Sequence, residues 1–197
     1  AGAAAAEGRS LDEVHAAAEA AAFNTRSMGV ALSGTTIPEV GQATFDVPEG
    51  EMELGMGIHG EPGVKRSPLL TADEIAGEML DRILADLPYS SGDVVGVLVN
   101  SLGATAPEEL YILFRKTSQV LSDRGISIHK AFIGEYATSM EMSGASISLM
   151  KLDDDLTKLL DAPAHSRYIT WITGIVQWDW GESWVQKRPI WDVILPL

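Results

Sequence analysis

The sequence contains no cysteine, and its 197 residues carry only 14 basic side chains against 28 acidic ones. Without cysteine there is no disulfide framework, no thiolate metal site and no cysteine nucleophile, so a packed core alone must hold the fold. A reducing compartment fits that composition. The net charge of −14 opposes phosphate backbones and anionic lipid surfaces, which argues against a nucleic-acid or membrane-surface partner. No apolar run reaches the roughly 18 residues of a transmembrane helix. The opening AGAAAAEGRS has neither the basic n-region nor the apolar core of a signal peptide. It also lacks an initiator methionine, so the chain is expected to begin inside a longer protein. Tryptophan is missing from everything before Trp171, and all five tryptophans fall between Trp171 and Trp191.

What is present is a chain with 46% apolar residues, enough for one globular domain or slightly more at roughly 100–200 residues per domain. Charge divides it unevenly. The residues up to His165 hold the whole net negative charge, and the remainder has three charges of each sign. A boundary is therefore expected near Ala162–Ser166, separating residues 1–165 from a Trp-rich extension at 166–197.

Ser10-Leu11-Asp12-Glu13 is a capping box that predicts a helix to about Phe23. Asn24 to Gly29 reads as a helix exit and turn before a short strand at Val30-Ala31-Leu32. Period-two patterns predict strands at Thr44–Val47 and Met52–Ile58, the second with Met52, Leu54, Met56 and Ile58 on one face and Glu53, Gly55, Gly57 and His59 on the other. A second box, Thr71-Ala72-Asp73-Glu74, opens a helix that ends at Pro88. Asp93–Asn100 has the continuous apolar character of a central strand. Thr105-Ala106-Pro107-Glu108 signals a helix through Leu121, stopped by Arg124-Gly125. Strands at Ile126–Ile133 and Ser146–Leu152 and a short helix at Asp153–Leu160 complete the alternation. The fold class is α/β, with a mixed or largely parallel sheet and helices packed on it.

Ligands collect at the carboxyl ends of strands in such sheets, and three strand exits carry reactive or small residues. The first is Gly57-Ile58-His59-Gly60-Glu61-Pro62-Gly63. Glycines at 57 and 60 remove bulk beside His59, so a small ligand can approach the imidazole, which serves as base, metal ligand or nucleophile. The same pattern suits a surface histidine that only forms hydrogen bonds. His15, His129 and His165 are not at metal-ligand spacing to His59, so no metal site is expected. The second stretch, Asn100-Ser101-Leu102-Gly103-Ala104-Thr105, leads into a helix N-terminus and suits either an anion cradle or a capped polar turn. The third, Gly134 to Gly144, contains Glu135 and Glu141, which can equally be solvated or helix-capping. From the residues alone this is a small-molecule site near His59 with its chemistry open.

Taken together, Asn24-Thr25-Arg26-Ser27-Met28-Gly29-Val30, the Gly57–Gly63 loop, Asn100–Thr105, Glu109-Leu110-Tyr111 and Thr138-Ser139-Met140-Glu141-Met142 resemble, in this order, the second half of the dihydroxyacetone kinase substrate-binding subunit. The resemblance covers about residues 1–165. It implies glycerone kinase activity within glycerol metabolism, in a soluble cytoplasmic homodimer. His59 then corresponds to the histidine that binds the ketone carbon of dihydroxyacetone as a hemiaminal, with Gly57 and Gly60 beside the substrate. Covalent attachment to a carbonyl selects ketones and aldehydes over glycerol, and it holds the terminal hydroxyl for in-line phosphoryl transfer.

In that family a separate helical, DhaL-type domain or subunit supplies the phosphoryl group, from ATP or as a phosphorylated partner. No cofactor is expected on this domain itself. The family's glycine-rich GGGSGHEP-like segment and its Asp general base have no counterpart in these residues, so the chain is expected to be a fragment that is inactive alone. A kinase for a larger ketose such as erythrulose, and a non-catalytic dihydroxyacetone-binding regulator, share the same motifs. The resemblance stops near His165. Trp171, Trp178, Trp180, Trp184 and Trp191 suit a dimer arm or docking segment, a packed extension, or a terminus altered by a frame change.

Overall fold

The structure, a computed structural model, describes residues 1–36, 39, 41, 45–58 and 61–162. The extension 166–197, with its five tryptophans, lies outside the described residues. The chain divides into two compact units, one formed by residues 19–157 and the other by residues from the two ends, beginning with 1–18. In chain order the elements are α1 (Gly2–Ala6), α2 (Leu11–Phe23), β1 (Thr25–Ala31), β2 (Glu51–Leu54), β3 (Lys65–Pro68), α3 (Ala72–Asp86), β4 (Val94–Ser101), α4 (Pro107–Asp123), β5 (Ser127–Gly134), β6 (Gly144–Leu152) and α5 (Asp154–Asp161).

The strands form one six-stranded sheet in the order β3-β2-β1-β6-β4-β5. It is the mixed form of the expected sheet. Among the described residues only β4 and β5 run parallel, joined by the crossover helix α4, and the remaining neighbours are antiparallel. Alternate residues of the strands point to one face, where Val30, Met52, Leu54, Val95, Val97, Val99, Ile147 and Leu149 meet Ile75, Met79, Leu80 and Ile83 of α3 and Leu110, Leu113 and Leu121 of α4. On the other face, residues of opposite parity are mainly small or polar. Ser27 and Ser148 sit side by side there, with their hydroxyl oxygens 2.6 Å apart. Near the end of β1 a second small cluster of Ala31, Val47, Met56, Leu102 and Met142 fills this face, with Phe45 and Ile58 against it.

Both expected capping boxes are present: Ser10 with Glu13 and Thr71 with Glu74, where each side chain accepts the other residue's backbone N–H. Four expectations change. First, Asn24–Gly29 is not a turn. The Asn24 amide donates to the Ala20 carbonyl at 2.9 Å and the Thr25 hydroxyl to that of Ala21 at 2.7 Å, so two side chains close the helix. The strand then starts at Thr25, because β6 offers seven paired residues from Met150 to Gly144; tertiary pairing overrides the local turn preference.

Second, Phe45–Val47 is loop rather than strand, and its apolar residues serve the second cluster; Thr44 lies outside the described residues. Third, β2 stops at Leu54 because Gly55 turns out of it with φ +81°. Met52 and Leu54 therefore belong to the main core and Met56 and Ile58 to the second cluster, instead of sharing one strand face. Fourth, α4 begins after Ala106 without a side-chain cap, since the Thr105 hydroxyl is used elsewhere.

Leu149 is fully buried in a strand paired on both edges. Leu149→Ala is expected to destabilise the protein by about 3 kcal/mol, the usual range for an aliphatic core truncation. Urea denaturation at neutral pH measures the loss.

Candidate functional site

The loop from β2 to β3 carries the first candidate stretch, and hydrogen bonds fasten it on both flanks. At its base, the Val64 N–H donates to the Leu54 carbonyl and the Gly55 N–H to the Gly29 carbonyl, both at 2.7 Å. Further out, the Gly57 N–H donates to the Glu61 carbonyl at 3.2 Å. Met56 is buried in the second cluster, and Ile58 packs against it. His59 and Gly60 lie outside the described residues. Gly57 is described, and its missing side chain leaves no vacancy: a Cβ there would collide with the Glu61 carboxylate. The glycine admits Glu61, which changes the reading of open space at that position.

One flank of this loop rests on a buried carboxylate. Glu53, in β2, is 8% exposed. Its Oε1 accepts the Gly63 N–H at 2.8 Å, and its Oε2 accepts both Nε and Nη2 of Arg66, at 3.0 and 2.6 Å. Arg66 is its cross-strand partner in β3 and also donates to the Asp46 carbonyl at 2.9 Å. Burying an ionised carboxylate is costly unless its oxygens are bonded, and here both are.

The second stretch closes on itself. Asn100 is buried; its Oδ1 accepts the N–H groups of Tyr136 and Ala137, and its Nδ2 donates to the Ala137 carbonyl. The Ser101 hydroxyl donates to the Thr105 carbonyl and accepts the Gly103 N–H. Thr105 exchanges bonds with both backbone groups of Gly144. The N–H groups of Leu102 and Ala104 donate to Gly144 and Met142. With the amides of 102, 103 and 104 all engaged, this turn has none of them left for an anion; it is the polar turn of the two expected forms.

In the third stretch Glu141 neither caps a helix nor is merely solvated. It accepts the Thr36 N–H at 2.6 Å and the Thr35 hydroxyl at 3.4 Å, fastening the exit of β1 to the approach of β6. Among the described residues, no group of three or more His, Asp or Glu side chains is placed to hold a metal ion. No helix among them is long and apolar enough to cross a membrane. A cavity of about 220 Å³ opens on the helix-covered face beside Val30, Leu70, Ile75 and Leu113, and its lining is mainly apolar.

Glu53 and Arg66 are the members of this arrangement that the sequence left unmarked. Their link depends on the β2–β3 register, and β3, read Lys-Arg-Ser-Pro, has the charges and proline of an edge strand without an apolar alternation.

Several carboxyls are held below their ordinary range. Glu53 is lowered by the Arg66 guanidinium and then by the Gly63 N–H; Glu78 is lowered by Lys65, and Asp93 by Lys151. A carboxyl whose folded pKa lies below its unfolded value stabilises fully above the unfolded range, near pH 4, and that contribution is lost as pH falls through the folded value. Replacing Glu53 with Gln removes one such contribution. Urea midpoints measured from neutrality down into acid are expected to fall less steeply for Glu53→Gln than for wild type, and parallel curves would refute the assignment.

The Dak1 domain model matches residues 1–168. Over 165 residues the chain is 47% identical to the dihydroxyacetone-binding subunit of PTS-dependent dihydroxyacetone kinase 2 from Listeria innocua, covering 84% of this chain and 50% of that one. An L-erythrulose kinase from Pectobacterium atrosepticum is 42% identical over 168 residues, 83% of this chain and 28% of that one. Among solved structures, the dihydroxyacetone kinase operon co-activator Dha-DhaQ superposes with a TM-score of 0.72 at 31% identity, covering 79% of this chain and 48% of that one. The chain thus spans half or less of the length of these relatives.

Proposed function

Because the chain belongs to the Dak1 domain family, we propose that it supplies the substrate-holding part of a dihydroxyacetone kinase, with His59 as the covalent anchor. The observation that carries this reading is the 47% identity to a dihydroxyacetone-binding subunit. The fastened loop supports it, since the bonds at Gly57–Glu61 and Glu53–Gly63 lie on either side of His59 in the chain.

In the proposed step, the lone pair of a neutral imidazole nitrogen adds to the ketone carbon. The carbonyl π electrons move to oxygen, which gains a proton, and the other ring nitrogen gives one up. All atoms of dihydroxyacetone are retained, and no water leaves. Glycerol has no carbonyl and cannot add. The attached substrate keeps a terminal hydroxyl, whose fixed position favours in-line attack on phosphorus. The phosphoryl group comes from a DhaL-type helical domain or subunit that holds ATP or is itself phosphorylated. This reading places the protein in the cytoplasm as a homodimer and gives this domain no cofactor of its own.

Two related readings have specific support. Addition at the carbonyl tolerates a longer ketose, and an L-erythrulose kinase is among the relatives. The likeness to an operon co-activator favours a dihydroxyacetone-binding regulator that does not transfer phosphate.

Intact mass spectrometry of the whole gene product incubated with dihydroxyacetone is expected to show an increment of one substrate molecule per chain, absent from His59→Ala. No adduct on wild type, or one that survives His59→Ala, overturns the proposal. Competition between dihydroxyacetone and erythrulose in a coupled kinase assay identifies the ketose. An adduct without phosphoryl transfer from either donor identifies the regulator.

A further inference from the structure

We propose that the cavity between α3 and α4 binds a small apolar molecule with a cationic head, its hydrocarbon part inside and its charge beside Glu109. This site needs nothing from His59.

Protein interiors are close-packed, and voids larger than a water molecule are few. The space of about 220 Å³ over β1 and β6 exceeds the roughly 150 Å³ of an apolar cavity that stays dry and accepts benzene. Val30 and Ala145 of the sheet, Ile75 of α3 and Leu113 of α4 line it. Two small residues help to keep it open: Ala72 in the first turn of α3 and Ala145 in β6 both face it, and a larger aliphatic side chain at either would fill it. At the mouth Leu69 and Ile112 are 52% and 46% exposed. Apolar surface therefore runs without a break from the interior out to solvent, which marks a binding surface more than single exposed residues do.

The polar groups of the lining are already spent. The Thr105 hydroxyl donates to the Gly144 carbonyl at 2.7 Å and accepts the Gly144 N–H at 2.9 Å, and the same carbonyl takes the Leu102 N–H at 3.0 Å. A polar ligand group buried against them would give up its bonds to water without replacement. The interior therefore selects hydrocarbon.

Charge at the mouth selects the head. The N-termini of α3 and α4 border the cavity through Ala72 and Glu109, and each helix start carries about half a positive charge. Against this stand Asp73, Glu74, Glu108 and Glu109 in the two first turns. Arg115 is paired with Asp73, so the mouth is net negative. Glu109 is the only charged residue among the described lining. In the Glu109-Leu110-Tyr111 motif, Leu110 is buried in the main core, whereas Glu109 is exposed, and among the described residues its carboxylate has no recorded bond. An ammonium group fits this mouth and a carboxylate does not.

Hexylammonium, hexanol and hexanoate are titrated into the whole gene product at neutral pH and low ionic strength. Calorimetry measures binding, and nuclear Overhauser contacts from the probe's terminal methyl to the methyls of Val30 and Leu113 locate it. Hexylammonium is expected to bind one-to-one with those contacts, about threefold tighter than hexanol, and hexanoate more weakly than hexanol, as one exposed charge pair allows. Shortening the probe to butylammonium is expected to weaken binding about fourfold per methylene removed. Ala72→Leu is expected to weaken all three probes by about tenfold or more by filling the space. Glu109→Gln is expected to bring hexylammonium to the level of hexanol; this variant separates a local contact from the net charge of −14, which attracts any cation. No saturable binding of hexylammonium, wild-type affinity in Ala72→Leu, or hexanoate bound as tightly as hexylammonium overturns the site. A cation preference that survives Glu109→Gln overturns the contact with Glu109. Should Ala72→Leu fail to fold, the methyl contacts in wild type decide: their presence supports the site and their absence overturns it.

Discussion

Strand β6 is the constraint on which the rest of the structure depends. Both of its edges carry antiparallel partners, seven residue pairs with β1 and eight with β4. Its residues at 145, 147 and 149 lie in the main core beneath α3 and α4. The same strand organises the loops at one end of the sheet. Gly144, its first residue, exchanges bonds with Thr105 after β4, and Ser143 accepts the N–H groups of Leu32 and Ser33 after β1. Glu141, just before it, holds Thr35 and Thr36. Two of the motifs that carry the family resemblance, Asn100–Thr105 and Thr138–Met142, are thus held by hydrogen bonds around the start of one strand.

This arrangement explains why polar motifs need not be ligand contacts. Asn100, Ser101, Thr105 and Glu141 have the residue types of a binding loop, yet each has one or more backbone groups as partners. Asn100, Ser101 and Thr105 are buried, where a polar side chain must be bonded, and backbone at strand ends supplies what they need. Their work is to hold the strand exits in register. The β2–β3 loop differs because its described bonds, Gly57 with Glu61 and Gly63 with Glu53, lie on either side of His59 in the chain.

Local signals in the sequence were legible where a single element decided the outcome. Capping boxes at Ser10 and Thr71, the apolar run of β4 and the helix stop at Arg124-Gly125 translate directly into structure. Signals failed where a distant partner decided. Asn24-Thr25-Arg26-Ser27 has turn chemistry but pairs with Leu149 and its neighbours, and Lys65–Pro68 is a strand only because β2 lies beside it. The candidate loop was found from its histidine and glycines. The support from Glu53 was not, because a carboxylate 10 residues from Gly63 acquires meaning only once the hairpin is formed.

The position of β1 in the sheet also governs the order of assembly. Ser27 meets Ser148 across 121 residues of chain, whereas β4 reaches its parallel partner through one helix. Closing so long a loop is entropically unfavourable and slow relative to local pairing. During synthesis the helix-flanked β4–β5 unit can form early, while β1, with β2 and β3 beyond it, waits for β6 to emerge. The β2–β3 hairpin joins the rest of the sheet only through β1, so a chain truncated before β6 presents β1 and one edge of β4 as open templates for pairing with other chains.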